Sequence, residues 1–196
     1  MAYSSAQPVD LAQLSLRPPD PEDAAGIHRL VGDSPPLDGN SLYCNLLQCT
    51  HFAGTSICAR QGGDIVGFIS GYLIPQRQDT LFIWQVAVDS AARGRGLARR
   101  MLQQLLQREC CADVHYLETT VTPGNRASRA MFESVADLLG CHCQESLLFE
   151  RERHFGGSHD SEILLRIGPF HRELIGIGSG MNGNTTETSG LNGKTS

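Results

Sequence analysis

The sequence has little that would direct the protein to a membrane or to nucleic acid. No run approaches the roughly 18 consecutive apolar residues of a membrane helix, and the first five residues form no charged or apolar leader. Asp and Glu (21) outnumber Lys and Arg (16), which gives a formal net charge of -5. Nucleic acids and anionic membranes attract clustered positive charge. We therefore expect a soluble cytoplasmic protein with neither kind of partner.

The sequence also lacks the spacing of a metal site. Its seven cysteines are odd in number and lie mostly in apolar stretches, which is typical of reduced, buried thiols. Cys141 and Cys143 flank His142, but alternation along a strand would place the thiols and the imidazole on opposite faces. No second ligand pair has zinc spacing. We expect no metal.

Composition divides the chain into one domain with two polar ends. The 196 residues, 40% of them hydrophobic, suit a single globular domain. Residues 1–14 show no sustained periodicity, and residues 176–196 are mostly Gly, Asn, Thr and Ser. Such segments cannot bury enough apolar surface to order themselves, so we predict disorder in both. The folded domain then spans residues 15–171.

Hydrophobic periodicity predicts an α/β or α+β order. A capping Asp20 followed by Pro21 predicts a helix that runs to about residue 31. Further helices are predicted at residues 41–49, 97–109 and 126–139. Strands are predicted at residues 14–17, 56–60, 65–73, 81–88, 114–120, 143–150 and 163–167, with a hairpin turn at residues 61–64. Several hairpins followed by alternating strands and helices predict a mixed sheet.

A basic, Gly-rich turn joins the strand that ends near Val88 to the helix that begins near Leu97. Glycines let the backbone approach a phosphate, the helix start directs N–H groups at it, and Arg93 and Arg95 add positive charge. The turn lacks the Lys-Ser/Thr ending of a nucleotide P-loop and the spacing of a dinucleotide fingerprint, which disfavours ATP and NAD. The alternatives are the pyrophosphate of coenzyme A and a structural turn with solvated arginines.

The turn resembles the pyrophosphate loop of the GNAT acyltransferase superfamily, whose Arg/Gln-x-x-Gly-x-Gly/Ala pattern is matched by Arg93, Gly96 and Ala98. Residues 125–132 resemble the second cofactor segment of that superfamily. The resemblance implies a GNAT fold, with a largely antiparallel mixed sheet flanked by helices and a splayed central strand pair that holds acetyl-CoA. The implied cofactor-binding residues are Val86, Ala87, Val88, Arg93, Gly94, Arg95, Gly96, Leu97, Ala98 and Asn125.

The same resemblance implies how the thioester is activated. Backbone amides around residues 86–88 would bind the pantetheine arm and polarise the acetyl carbonyl. A preorganised N–H at the developing oxyanion lowers such a barrier by roughly 3 kcal/mol. Many members of the superfamily protonate the departing thiolate with a tyrosine, where this chain has Phe132. Tyr72, Tyr116, a cysteine or water remain alternatives for that acid.

Longer blocks, among them residues 36–43, 82–88, 117–123 and 166–170, are similar to the L-2,4-diaminobutyrate N-acetyltransferases. This narrower resemblance implies direct attack of the deprotonated γ-amine of L-2,4-diaminobutyrate on acetyl-CoA, giving N4-acetyl-L-2,4-diaminobutyrate for ectoine biosynthesis and osmoadaptation. It also implies a homodimer. A GNAT enzyme for another small amine and a CoA-binding module without turnover remain alternatives.

Several acidic and aromatic side chains suit a dicationic amino acid. Glu118 lies near the end of a strand at the expected cofactor crevice, so it is the candidate catalytic residue that orients and deprotonates the ammonium. The alternative is a carboxylate that only pairs with the substrate or with a neighbouring arginine. Asp38 would bind an ammonium, Tyr43 would donate a hydrogen bond, and Trp84 would pack on the aliphatic chain. A turn residue, a buried helical tyrosine and a core tryptophan are the respective alternatives.

The family resemblance adds one further pair to the predicted substrate site. His159 and Glu162 are implied to help enclose the substrate, with the imidazole available to its carboxylate. A solvent-facing turn is the alternative for this polar segment, and the pair is too small to be a metal site.

Overall fold

A seven-stranded mixed sheet forms the centre of the computed structural model, which describes residues 9–35, 37, 39–171 and 173. The sheet order is β1-β2-β3-β4-β5-β7-β6, and only the central pair β4–β5 is parallel. The predicted mixed, largely antiparallel sheet is confirmed. The strands are β1 (Ser15–Arg17), β2 (Ile57–Gln61), β3 (Asp64–Ile74), β4 (Arg77–Val88), β5 (Tyr116–Val121), β6 (Cys143–Phe149) and β7 (Glu162–Ile167).

Helices cover both faces of this sheet. They are α1 (Ala24–Gly32), α2 (Leu42–Gln48), α3 (Leu97–Leu106), α4 (Arg126–Leu138) and α5 (Arg151–Phe155). Two adjacent residues of β3 show that the sheet has a hydrophobic core on each face. Phe68 is buried in the core between the sheet and α1, and Ile69 is buried in the larger core between the sheet and helices α3 and α4. Successive side chains of a strand point to opposite faces. Helix α5 was not predicted from the sequence.

The predicted helix start at Asp20 is confirmed by its hydrogen bonds. The Asp20 carboxylate accepts from the backbone N–H groups of Glu22 and Asp23, and a 3₁₀ turn, Pro21–Asp23, leads into α1. Asp23 is itself buried and accepts from Arg17 at 2.7 and 2.9 Å and from Arg60 at 3.0 Å. This ion cluster joins the start of α1 to the edge strand β1 and to its neighbour β2.

The ordered chain begins before the predicted boundary at residue 15. Val9 and Leu14 are buried in the larger core, and the Arg100 guanidinium donates to the Leu11 carbonyl at 2.5 Å. These apolar side chains are spaced without periodicity, so the sequence pattern did not reveal that they pack. The remainder of the predicted N-terminal disordered segment, residues 1–8, and the predicted tail, residues 176–196, lie outside the described residues.

Other features of the described chain bear on the sequence predictions. All seven cysteines are free thiols. Over the described residues, no three His, Cys, Asp or Glu side chains are grouped in a way that could hold a metal ion. In the same part of the chain, no helix is long and apolar enough to cross a membrane.

Candidate active site

The two central strands separate at the middle of the sheet. Strands β4 and β5 pair from Thr80 opposite Tyr116 to Ile83 opposite Thr119, and each strand continues beyond that point without pairing to the other. At the last pair, the Thr119 hydroxyl donates to the Ile83 carbonyl at 3.0 Å. Beyond residue 83, β4 therefore no longer pairs with β5, as expected for a splayed pair.

Strand β4 contains a β-bulge just beyond its last pair with β5. The register between β3 and β4 skips one residue, which leaves Trp84 as the extra residue of the bulge. A bulge shifts the alternation of side chains by one position. Consequently Val86 and Val88 line a cavity beside α3 and α4, whereas the Ala87 side chain is buried in the opposite core.

The cavity along the splayed strands has a volume of about 880 Å³. Residues 93–99 of the basic turn line it, together with Asn125 and one face of α4. Nine of the ten predicted cofactor-binding residues lie on its wall, and Ala87 is the exception. Because the prediction for residues 86–88 concerns backbone amides, the direction of the Ala87 side chain leaves it intact. The sequence-predicted cofactor residues are thus brought together in one groove.

Two glycines give the basic turn its shape. Gly94 and Gly96 have φ of 71° and 79°, in the left-handed region that other residues rarely adopt. Gly96 is the N-cap of α3 and provides no side-chain acceptor, so the first N–H groups of α3 remain available to an anion. The Arg93 side chain donates to the Val88 carbonyl at 2.8 Å and to Ser34 at 3.1 Å. These bonds hold a guanidinium charge beside the helix start.

The predicted second cofactor segment begins at a capped helix. The Asn125 side chain accepts from the backbone N–H of Ser128 at 3.1 Å, so Asn125 is the N-cap of α4, as its predicted place at the helix start requires. The same residue lies on the cavity wall. Asn125 therefore fixes the start of α4 against the groove.

Glu118 is held on the opposite side of the sheet by two arginines. Its side chain is only 3% exposed and accepts from Arg77 at 2.6 and 2.8 Å and from Arg166. Burial alone would raise the pKa of Glu118, but the hydrogen bonds from Arg77 and then Arg166 outweigh burial and lower it. Glu118 is therefore an ionised and fully engaged carboxylate, which makes it a weak proton acceptor.

Sequence reasoning missed both arginines. Arg166 lies directly opposite Glu118 in the antiparallel β5–β7 pair, and Arg77 reaches it from the start of β4. The only signal was the strand pairing itself, which a single sequence does not reveal. The Arg166 guanidinium also lies 3.8 Å from the centre of the Tyr116 ring. Burial, and then the charge of Glu118, raise the pKa of Tyr72 on the neighbouring strand β3.

The other predicted substrate residues are distributed around this region. Tyr43 and Trp84 are 69% and 45% exposed, so the buried alternatives considered for them do not hold. The His159 Nε2 lies 3.8 Å from the Glu162 carboxylate, at the start of β7. Asp38 lies outside the described residues.

Comparison with known proteins identifies the family. The family model described as "Acetyltransferase (GNAT) family" matches residues 21–136, more than half of the chain. The L-2,4-diaminobutyric acid acetyltransferase of Methylotuvimicrobium alcaliphilum is 50% identical over 157 residues, which are 80% of this chain and 91% of that relative. This chain belongs to the L-2,4-diaminobutyric acid acetyltransferase family and has the GNAT fold. The family relative from Bordetella parapertussis is 52% identical over 85% of this chain and 90% of its own length.

Solved structures agree with this family membership. The diaminobutyrate acetyltransferase EctA from Paenibacillus lautus, solved in complex with its substrate L-2,4-diaminobutyric acid and coenzyme A, is 38% identical. It aligns with a TM-score of 0.77 over 81% of this chain and 96% of that chain. A more distant structure, the ribosomal-protein-S18-alanine N-acetyltransferase from Escherichia coli, is 16% identical with a TM-score of 0.59 and shows the shared fold alone.

Proposed function

We propose that this family member transfers the acetyl group of acetyl-CoA to the γ-amine of L-2,4-diaminobutyrate, giving N4-acetyl-L-2,4-diaminobutyrate for ectoine biosynthesis. The identity of 50–52% to two enzymes of that name, over at least 80% of this chain, carries the proposal. The cavity at the splayed strands supports it, because it combines a basic turn, an open helix start and exposed strand backbone. No metal is needed for such a transfer.

The geometry suggests how the cofactor is used. The pyrophosphate would lie at the start of α3 beside Arg93, with further charge from Arg95. The pantetheine arm would then run between β4 and β5, where the backbone N–H groups near Val86 can polarise the thioester carbonyl. The amine adds to that carbonyl, the tetrahedral intermediate collapses, and the C–S bond breaks to release the CoA thiolate. The amine reacts in its neutral form, having lost its ammonium proton to the solvent, since both oxygens of Glu118 are occupied by arginine donors.

The substrate would bind on the other side of the splayed pair. Tyr43 and Trp84 carry exposed aromatic surface for the aliphatic chain or an ammonium, and the His159–Glu162 pair supplies polar groups at the start of β7. Asp38 stays a proposed ligand of an ammonium, by family resemblance.

A direct assay tests the proposal. Free-thiol release from acetyl-CoA should be fastest with diaminobutyrate, compared side by side with ornithine, lysine and spermidine, and NMR of the product should place the acetyl group on the γ-nitrogen. Faster turnover with another amine would keep the fold and replace the substrate. Acetyl-CoA binding without thiol release for any amine would favour the CoA-binding module.

We also propose a homodimer that uses the free edge of the sheet. Strand β6 is the last strand of the described sheet, and its end exposes Leu147, Leu148 and Phe149, which are 57%, 38% and 43% exposed. Three consecutive apolar side chains expose both faces of an edge strand, which natural proteins normally cover. A second copy of this chain, placed antiparallel along the same strand, would bury them without leaving a charged group unpaired.

The homodimer has a direct test. Light scattering should give twice the chain mass of 21.3 kDa for the wild type and the single mass for Leu147→Arg. The exposed Gln104→Arg, on α3 and outside the proposed interface, serves as a charge-matched control and should remain dimeric. A monomeric wild type at micromolar concentration would contradict the proposal, as would a dimeric Leu147→Arg variant.

A cytoplasmic location completes the proposal. The seven free thiols support it, because reducing compartments keep cysteines in this form. The net charge of -5 supports the expected lack of nucleic-acid and membrane partners.

A further inference from the structure

We propose that Arg77 and Arg166 bind the α-carboxylate of the diamino acid, and that Glu118 holds the two guanidinium groups in place. The inference rests on the proposed function and assigns the specificity for an amino acid over a simple diamine. It concerns the cluster on the far side of the sheet from the cofactor cavity. The cluster differs from an ordinary ion pair in its charge, its exposure and its position.

The charges of the cluster do not cancel. Two guanidinium groups share one carboxylate, and neither Arg77 nor Arg166 has another ion-pair partner within 4 Å in the described part of the chain. The hydrogen bonds to Glu118 raise the pKa of Arg77, and the charge of Asp79 also raises it, but Asp79 forms no ion pair with Arg77. Within this cluster of three groups, one positive charge is therefore left over. A second carboxylate is the ligand that neutralises it, and arginine is the side chain best suited to bind carboxylates through paired N–H donors.

Exposure of the three side chains shows which charge a substrate meets. Glu118 is 3% exposed, whereas Arg77 is 45% and Arg166 is 27% exposed. The carboxylate thus lies beneath the guanidinium groups, and an incoming molecule reaches the arginines first. Arg77 uses both terminal nitrogens on Glu118 and retains Nε, while Arg166 uses one terminal nitrogen and retains the other with Nε. Unused donors remain for a ligand.

The cluster lies next to the point where the central strands separate. Glu118 immediately precedes Thr119, the last residue of β5 that pairs with β4. One residue of strand corresponds to about 3.3 Å. A diamino acid that places its carboxylate at the guanidinium groups can therefore extend its short side chain toward the point where the strands separate. The γ-amine, at the far end of that side chain, would reach the thioester.

A comparison of two substrates isolates the carboxylate. The molecule 1,3-diaminopropane keeps both amines and the carbon chain of diaminobutyrate but lacks the carboxylate. We expect Arg77→Gln and Arg166→Gln each to lower kcat/KM for diaminobutyrate about 10- to 100-fold, the size of lost hydrogen bonds to a charged group. The same variants should change kcat/KM for diaminopropane by less than about 3-fold. The preference for the amino acid should therefore collapse.

The chain offers a matched control for the structural effect of losing an arginine. Arg17 also donates twice to a buried carboxylate, Asp23, that a second arginine shares. Arg17→Gln should lower the melting temperature and leave the ratio of the two substrates unchanged. Equal losses for diaminobutyrate and diaminopropane in Arg77→Gln and Arg166→Gln would overturn the proposal, as would collapse of the ratio in His159→Gln alone.

Wild-type measurements keep the proposal testable if a variant does not fold. Equal kcat/KM for diaminobutyrate and diaminopropane in the wild type would overturn it, and so would equal kcat/KM for diaminobutyrate and its primary amide. Failure of the proposed function has a different signature, because diaminobutyrate would then not be acetylated by the wild type at all. Turnover of diaminobutyrate with an unchanged substrate ratio in the arginine variants would contradict this inference alone.

Discussion

Replacing Glu118 by Gln should lower kcat/KM for diaminobutyrate by about 100-fold, the effect of a small misplacement of substrate-positioning groups. The amide cannot accept from Arg77 and Arg166 as a charged carboxylate does, so the two guanidinium groups repel each other and move apart. The free energy of unfolding should fall by about 2 to 3 kcal/mol. This is less than for a fully buried ion pair, because the Arg77 side chain is half-exposed and solvent screens its charge. Steady-state kinetics and urea denaturation measure the two effects.

The stability effect has a defined pH dependence. The pKa of Glu118 in the folded protein lies below its usual value, so its stabilising contribution is present above the pKa of the unfolded carboxyl, about 4.3, and is lost as the pH falls through the lower folded value. The difference in unfolding free energy between wild type and Glu118→Gln should thus be constant near neutral pH and shrink in acid. Glu145→Gln, at an exposed ion pair, should cost less than about 1 kcal/mol. A difference that persists unchanged at pH about 3 would contradict the role of the ionised carboxylate.

Replacing Gly96 by Val should weaken CoA binding by about 100-fold. A β-branched residue at φ of 79° is strained by about 1 to 3 kcal/mol, and its side chain would enter the cavity at the helix start where the pyrophosphate is proposed to lie. The backbone strain would displace the N–H groups at the start of α3, and the side chain would occupy space that the pyrophosphate needs. Isothermal titration calorimetry with CoA measures the change in Kd.

Gly62 provides the control for strain without a change at the cofactor groove. It lies in the β2–β3 hairpin turn with φ of 61°, and a Cβ there would meet open space, as at Gly96. Gly62→Val should therefore lose similar stability and retain the wild-type Kd for CoA. Equal CoA affinity in both variants would remove the basic turn from the binding site.

The parts of the fold that a single sequence could predict are those decided by neighbouring residues. The Asp20 cap, the turn at residues 61–64 and the start of α3 at Gly96 each depend on local backbone chemistry, and each lies where it was predicted. The amphipathic helices α3 and α4 also follow from local spacing, although α3 ends at Leu106, before the predicted residue 109.

The parts that could not be predicted depend on pairing between distant segments. A strict alternation along β4 would place Gln85 and Ala87 on the same face as Leu81 and Ile83, but the bulge at Trp84 places Val86 and Val88 there instead. The bulge arises from pairing with β3, which local sequence does not encode. The same limit applies to Arg166, whose meeting with Glu118 depends on β7 pairing with β5. The place of Glu118 at a strand end predicted an available carboxylate, whereas the strand pairing brings the Arg166 guanidinium onto it.

The residues that pair with Glu118 are arginines and not lysines, and this difference matters at alkaline pH. An alkylammonium with a pKa near 10 becomes a nucleophile more readily as the medium becomes alkaline, but a lysine in the cluster would lose its own charge over that range. Arginine stays protonated throughout, and its carboxylate partner raises the pKa of Arg77 further. A guanidinium is also a far poorer acceptor of acetyl groups than a free amine, so the cluster cannot compete with the substrate for the thioester. The proposed binding surface would therefore be neither titrated nor acylated at alkaline pH.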